Sequence, residues 1–361
     1  MSSADKPTIV VTGAAGNLGL RLLPLLTDFN LIAVDIAPPR TDTPLRYENI
    51  DLGREAACRQ MVQLLKQSKA RAVVHLAFVL DPLRSGVLDL DRMWQINVAG
   101  TARVMEAITE VNRHDGAIDT FLFPSSVSVY GPDTPGPVKE THPLNAHTLP
   151  YAIHKREADD VVRFRAESLG DCATYVLRPA IFTGATVQNY MVGALRGTPS
   201  GRGKRAERMR QEGKRLPMLT PGKAYRQNRL QFVHIDDVAR LIANILRRPG
   251  PGKYELTVLN VAGRGEPMSF EEISAIANAR VMQVPGKWMM REILGLLWKF
   301  GVSGIPPEAA PYMYGSYLVD CSRLKQFLGK DYESILQYSV ALALQDTFKT
   351  EDQIAAASQK S

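Results

Sequence analysis

A strand-like run, TIVVT at residues 8–12, passes directly into Gly13-Ala14-Ala15-Gly16-Asn17-Leu18-Gly19 and then into a helical stretch. Glycines at this spacing permit a tight turn and close backbone approach. The helix that follows aims unpaired N–H groups and a positive dipole end at whatever lies in front of the turn, which suits a pyrophosphate. The expectation is the first strand–turn–helix unit of a dinucleotide-binding α/β fold. Glycines that merely end a strand would leave the same letters, so a second feature has to decide. Asp35 closes the next apolar run, LIAVD at 31–35, where a carboxylate accepts both hydroxyls of an adenosine ribose and repels a 2′-phosphate. NAD is therefore expected over NADP, with nearby Arg40 the one feature that speaks the other way.

The same rhythm continues. AVVHLA at 72–77, TFLFPSS at 120–126 and ATYVLRP at 173–179 are almost wholly apolar, as parallel strands buried on both faces must be. LQFVHI at 230–235 and TVLNVA at 257–262 are candidates for later strands of the same sheet. Helices are expected at 17–27, 54–67, 89–112, 150–169, 236–247 and 269–278, the last opened by Ser269 and Glu272 in capping-box register. These alternations predict a Rossmann-type doubly wound parallel sheet, an α/β fold, with a smaller C-terminal substrate-binding lid. The dinucleotide-binding domain is placed at 1–184 with 230–265 returning to it, and the lid region at 185–229 and 266–361. A chain of 361 residues is long enough for that arrangement.

Composition mainly excludes. Three cysteines, Cys58, Cys172 and Cys321, lie too far apart for a zinc site or a disulfide framework, and no histidine stands at metal-ligand spacing, so no metal is expected. The N-terminus lacks the basic stretch and apolar run of a secretory signal, which with the cysteine usage predicts a cytoplasmic location. The net charge of +7 is local: eleven Lys or Arg against two Glu between Arg196 and Arg229 give +9, leaving −2 for the rest. That segment reads as a basic loop, either solvated or holding an acidic group of the substrate. Nucleic acid is not expected, since aromatic interleaving is limited to Tyr225. WMMREILGLLWKFG at 288–301 is too short to span a bilayer and reads as a packed lid helix, with a membrane-surface helix as the sharper alternative.

Tyr151 and Lys155 are four apart in YAIHK, so on a helix they share a face. A phenol is a poor base at neutrality; a neighbouring ammonium and a cationic nicotinamide both favour the phenolate, and Tyr151 then exchanges a proton with substrate. Alone, such a pair is commonplace. The run Ser125-Ser126-Val127-Ser128-Val129-Tyr130-Gly131 changes its weight, because it ends a predicted strand at the edge where open α/β sheets bind ligands. Ser126 there donates a hydrogen bond to an oxygen that gains negative charge. His75 and His234 read as structural, and His154 as facing solvent or a partner subunit.

Together these residues resemble the extended short-chain dehydrogenase/reductases, the NAD-dependent epimerase/dehydratase family, over about residues 8–262. The likeness runs through the glycine loop, Asp35, Asp51-Leu52, His75-Leu76-Ala77, Asn97-Val98-Ala99-Gly100-Thr101, the serine run, Tyr151 with Lys155, Leu177-Arg178-Pro179 and Phe232 to Val238. It implies that Gly13, Gly16, Asn17, Leu18 and Gly19 cradle the cofactor, with Asp35 and Ile36 at the adenosine end and Asp51 and Leu52 beside the adenine. Leu76, Ala77, Phe78, Asn97 and Pro179 would line the rest of the cofactor, and Lys155 would hold the nicotinamide ribose. It also implies a homodimer, built on the helices near 89–112 and at Tyr151.

Departures from that family's pattern narrow the reaction. Val127 and Ser128 stand where dehydratases carry Asp and Glu, so elimination lacks its acid and base. Ile181 replaces an asparagine, and Leu230 an arginine, that contact the diphosphate in many sugar-nucleotide epimerases, although Arg229 is adjacent. The expectation is an NAD-dependent oxidoreductase or epimerase moving a hydride at a secondary alcohol carbon, slightly favouring an apolar or hydroxysteroid-like substrate. A nucleotide-sugar epimerase is the alternative. A non-catalytic dinucleotide sensor comes third, disfavoured by the intact Ser126, Tyr151 and Lys155.

Overall fold

Alternate residues of the first strand enter different cores: Ile9 and Val11 pack on one side and Val10 on the other. All three are fully buried, at about 1.5–3 kcal/mol each. Only a sheet covered on both faces accommodates that. In the computed structural model, which describes residues 6–80, 89–114, 116 and 118–349, seven parallel strands form the sheet. They are β1 (Thr8–Thr12), β2 (Asn30–Asp35), β3 (Arg46–Asn49), β4 (Ala70–His75), β5 (Thr120–Pro124), β6 (Ala173–Pro179) and β7 (Glu255–Val261). Their order is β7-β6-β5-β4-β1-β2-β3, so the chain changes direction across the sheet between β1 and β4. A crevice opens at the carboxyl ends of the strands there, and it is the ligand position of such sheets.

Helices that matter below are α1 (Asn17–Leu22), α2 (Gly100–His114), α3 (Pro150–Arg165), α4 (Lys204–Gln211) and α5 (Gly286–Lys299). The helix expected at 89–112 comes in three pieces: Leu90–Trp94, a π turn over Gln95–Ala99, then α2. The capping box forms as read, with Ser269 Oγ accepting from the Glu272 N–H at 3.2 Å and Glu272 Oε2 accepting from the Ser269 N–H at 2.7 Å.

Three expectations need correction. LQFVHI does not join the central sheet. The β6 edge is occupied by β7, which pairs along all of Ala173–Pro179; Phe232–His234 instead pairs with Ile181–Thr183, and Arg229–Leu230 with Met268–Ser269. The basic segment is not a loop either: it contains α4 and a strand, Met218–Thr220, that pairs with Val281–Gln283. The helix at 288–301 packs through a narrow strip. Of α5, only Met290 and Leu294 are buried, whereas Trp288, Leu296 and Phe300 are exposed. No described helix is long and apolar enough to cross a membrane. One strand, β3, had no apolar signal because Arg46-Tyr47-Glu48-Asn49 lies at a half-exposed edge.

Candidate active site

The turn after β1 is fixed by backbone. Gly13 adopts φ +67°, and a Cβ there would stand 2.4 Å from the Ala77 nitrogen; a Cβ on Gly19 would stand 2.4 Å from the Ala14 carbonyl oxygen. Both positions therefore exclude any larger residue. Gly16 caps α1 without a side chain and the first turn holds no acid, which leaves its N–H groups toward the crevice without a competing anion. At the end of β2 the Asp35 carboxylate accepts from the Ala15 N–H at 2.9 Å and the Ile36 N–H at 2.7 Å. It is thereby tied to the glycine turn, beside the position an adenosine ribose would take.

Beneath the turn, a buried relay joins the two central strands. Thr12 Oγ1 lies 2.7 Å from His75 Nδ1, His75 Nε2 lies 3.0 Å from Thr101 Oγ1, and Thr101 donates to the Asn97 carbonyl at 2.6 Å. Burial, and secondarily the Lys155 charge, push the His75 pKa down to about 3, so the ring is neutral and structural, as read. Asn97 is buried and clamps Val79, accepting from its N–H at 2.6 Å and donating to its carbonyl at 3.0 Å. It shapes the 76–80 segment rather than lining the cavity. His154, expected at solvent or a partner, is buried with its Nδ1 3.4 Å from the Asn97 amide, because the π turn brings Asn97 over α3.

The chemistry-bearing side chains converge. Ser126 ends the β5 turn and accepts from the Ser128 N–H at 3.1 Å, which orients its hydroxyl. Tyr151 and Lys155 come from one face of α3. Tyr151 hydrogen-bonds with Ser126, while burial pushes its phenol pKa up and that bond pulls it down. Lys155 donates to the Pro124 carbonyl at 2.7 Å and lies 3.7 Å over the Phe78 ring, which meets Tyr151 edge-on at 6.0 Å. Burial brings the Lys155 ammonium down to about 7, with Asp159 opposing. The proximity expected to lower the tyrosine pKa is thus incomplete: Lys155 is occupied by a carbonyl and an aromatic face.

One cavity of about 460 Å³ collects these groups, a size typical of small-molecule sites. Its cofactor side holds Gly13, Gly16, Asn17, Leu18, Gly19, Leu76, Phe78, Ser126, Tyr151, Lys155 and Pro179. Asp35 and Ile36 stand just outside its wall; Asp51, Leu52, Ala77 and Asn97 do not reach it. Asp51 instead accepts from the Gly53 N–H at 3.0 Å and pairs with Arg92, and the Leu52 side chain is in the core. The far side, absent from the sequence reading, is built by Phe182, Val187, Met191, Tyr312, Met313 and Tyr317. Among the described residues, Lys155 is the sole charged one in the wall. No basic residue of 196–229 reaches it, which of the two readings of this segment favours the solvated one: α4 packs its one buried residue, Ala206, inward and leaves Lys204, Arg205 and Arg208 exposed.

Arg178 is also unavailable. It donates to both Asp159 oxygens at 2.9 Å and to the Tyr130 hydroxyl at 2.7 Å, and both members of the ion pair are fully buried. Burial works against the Asp159 charge, but Arg178 holds the carboxyl below its usual range. The pair braces α3 against β6 directly under Lys155. Asn17 anchors the far side to the glycine turn, donating to the Thr186 carbonyl at 3.1 Å. Read from the sequence as part of the cofactor cradle, Asn17 lines the cavity and also ties its two sides together.

Known proteins of similar sequence and shape share this fold. The chain is 25% identical over 153 residues to an uncharacterized epimerase/dehydratase of Staphylococcus aureus (strain USA300), a match covering 41% of this chain and 44% of that protein. It thus spans less than half the length of the curated relatives it matches. Among solved structures, the Bacillus cereus UDP-glucuronic acid 4-epimerase in complex with UDP-glucuronic acid and NAD has a TM-score of 0.64 at 19% identity, covering 98% of this chain and 100% of that one. The Thermus thermophilus UDP-glucose 4-epimerase complex with NAD gives 0.64 at 18%, over 97% and 99%. MoeE5 in complex with UDP-glucuronic acid and NAD gives 0.63 at 21%, over 98% and 100%. At these identities the structures establish the fold. The profile of the NAD dependent epimerase/dehydratase family matches residues 9–262, most of the chain, and with the glycine turn, Asp35 and the Ser126-Tyr151-Lys155 group in one crevice the chain belongs to that NAD-dependent enzyme family.

Proposed function

We propose that this protein interconverts a secondary alcohol and its ketone in a small molecule, as an NAD-dependent epimerase or oxidoreductase. The carrying observation is that Ser126, Tyr151 and Lys155 share one cavity with the Gly13–Gly19 turn. NAD, when bound there, would supply the hydride acceptor and donor. Tyr151 moves the hydroxyl proton: as a phenol raised by burial it protonates a forming alkoxide, and in the reverse direction a nearby cation must help it lose that proton. Ser126 donates to the same oxygen as charge develops. Lys155, with three donors, leaves the Pro124 carbonyl partly for a ribose hydroxyl and supplies positive charge beside Tyr151. Asp35 receives the adenosine ribose. The far wall at 185–229 and 266–349 acts as the lid, closing the crevice against water.

For the substrate, a nucleotide sugar is the leading class, because the solved relatives that share the fold are named as UDP-sugar enzymes. This displaces the hydroxysteroid-like substrate favoured from sequence. An apolar alcohol remains as a second reading on one observation: the far wall is aromatic and aliphatic, with no cation for a diphosphate apart from Lys155 among the described residues. A turnover screen of the purified protein with NAD decides. Inversion of a UDP-sugar stereocentre supports the first class, net reduction of NAD by apolar secondary alcohols the second, and inertness toward both contradicts the proposed reaction. The same reading keeps a homodimer through α2 and α3, where Phe164 is 80% exposed and would be covered; sedimentation of a monomer at micromolar concentration contradicts it.

A further inference from the structure

Helix α5 has an outer face that its own chain does not use. Trp288, Leu296 and Phe300 are 72%, 54% and 63% exposed, a concentration of large apolar side chains on a single element. At 100° per residue they span about a third of the helix circumference, opposite the side on which Met290 and Leu294 are buried. Lys299 and Glu292 lie within the same sector, and Arg291 about 60° outside it. At the C-terminal end, the chain leading into α4 is fastened alongside: the Gly203 N–H donates to the Gly301 carbonyl at 2.8 Å and the Gly201 N–H to the Val302 carbonyl at 3.1 Å. That contact brings the chain that carries exposed Arg202, Lys204 and Arg205 to the Phe300 end of α5, where a Cβ on Gly203 would stand 2.9 Å from the Phe300 carbonyl oxygen. Arg202, Lys204, Arg205, Arg291 and Lys299 make no hydrogen bond or ion pair among the described residues. Lys204 and Arg205 also occupy the first turn of α4, where the helix dipole disfavours cations, so helix stability does not account for them.

We infer that the outer face of α5, with the basic start of α4, docks the protein on an anionic lipid surface. An aromatic and aliphatic strip bordered by unpaired cations matches the boundary between acyl chains and negatively charged headgroups, where such a helix lies flat. A second copy of this chain is the poorer occupant, because self-pairing would set like charges against one another. Nucleic acid is poorer too, having nothing to receive the strip's apolar centre. The buried side of α5 rests on the turn at Pro307–Ala309 and the helix Ala310–Tyr314, from which Ala309, Tyr312 and Met313 reach the cavity. Docking would therefore place the cavity's far wall one helix layer from the lipid.

The test is flotation of the full-length protein with vesicles of phosphatidylcholine alone or mixed with phosphatidylglycerol. The unaltered protein should float with the mixed vesicles only, and high salt should weaken the association. Two variants, one Trp288→Ser/Leu296→Ser/Phe300→Ser and one Arg202→Glu/Lys204→Glu/Arg205→Glu/Lys299→Glu, should each bind about tenfold more weakly or worse while retaining NAD binding and cooperative unfolding. A second measurement needs neither. The chain has three tryptophans, and in a Trp94→Phe/Trp298→Phe background Trp288 reports alone; its emission should shift to the blue on mixed vesicles. Absence of flotation by the unaltered protein, equal flotation by the variants, or an unmoved Trp288 spectrum overturns the inference. Concentration-dependent self-association that the apolar variant abolishes, with no lipid binding, also overturns it and assigns the face to a copy of the chain.

Discussion

The two walls of the cavity are built differently. The cofactor wall is held by backbone and buried hydrogen bonds: two glycines that admit no Cβ, the Thr12–His75–Thr101 relay, and the Arg178–Asp159 pair under α3. The substrate wall is held mainly by packing, with weak polar ties such as the Tyr312 hydroxyl donating to the Ser128 carbonyl at 3.3 Å and the Tyr317 hydroxyl to the Tyr312 carbonyl at 3.1 Å. Substitutions at the glycines, the relay or the buried pair are expected to disturb the fold as well as the reaction. Those on the second wall are expected to shift mainly what is accepted. On the proposed reaction, chemistry would sit on the rigid side and specificity on the side free to vary, the usual separation of site from scaffold.

The largest effect that breaks the comparison is expected at Tyr151. Tyr151→Phe keeps ring and helix but removes the proton, so kcat should fall by about a hundred- to ten-thousand-fold with NAD affinity nearly unchanged. Lys155→Ala should lose NAD affinity as well, measured by titration of the cofactor. Retention of more than about a tenth of turnover by Tyr151→Phe contradicts the assignment of the proton. Next comes Arg178→Met, which leaves the buried Asp159 carboxylate with the part-exposed Arg163 as its remaining ion-pair partner; chemical denaturation should show a loss of about 3 kcal/mol, the low end for a broken buried pair. A loss below about 1 kcal/mol, the scale of a surface ion pair, would mean that the brace carries little.

How legible each wall was in the sequence follows from the same difference. Gly13, Gly16, Gly19, Asp35, Tyr151 and Lys155 are constrained by what their own backbone and near neighbours must do, so short spacings reveal them. The far wall joins Phe182, Val187 and Met191 to Tyr312, Met313 and Tyr317 across more than a hundred residues, and no local period marks that meeting. The π turn that buries Asn97 and His154 was invisible for a similar reason, since a helix pattern does not reveal one extra residue in a turn. The charge of the basic segment left solvent and a ligand both open, because nothing local shows that α4 turns only Ala206 inward. The strands of the sheet were readable as apolar runs except β3, whose polar edge has none, while LQFVHI shows that an apolar run alone does not say which sheet it joins.

Smaller effects sharpen the contrast. Asp35→Ala should relax the choice of NAD over NADP by about tenfold, since it removes one charge facing the extra phosphate. Equal affinity for both cofactors in the unaltered protein would unseat Asp35. Smallest is Met313→Ala on the substrate wall: KM should rise several-fold with kcat nearly unchanged, because the side chain contributes uniform binding. A fall in kcat as large as that of Tyr151→Phe would erase the distinction between the walls.

The central claim, hydride transfer at an alcohol carbon, is tested most directly by isotope. A substrate identified in the screen is deuterated at the reacting carbon and mixed with the NAD-loaded protein for a single turnover. The account predicts that the label passes to the nicotinamide ring, staying there on net oxidation or returning to the product carbon on epimerisation, without loss to water, and that Tyr151→Phe slows its transfer. Label released to water with the nicotinamide unlabelled would show proton rather than hydride chemistry at that carbon and would contradict the account.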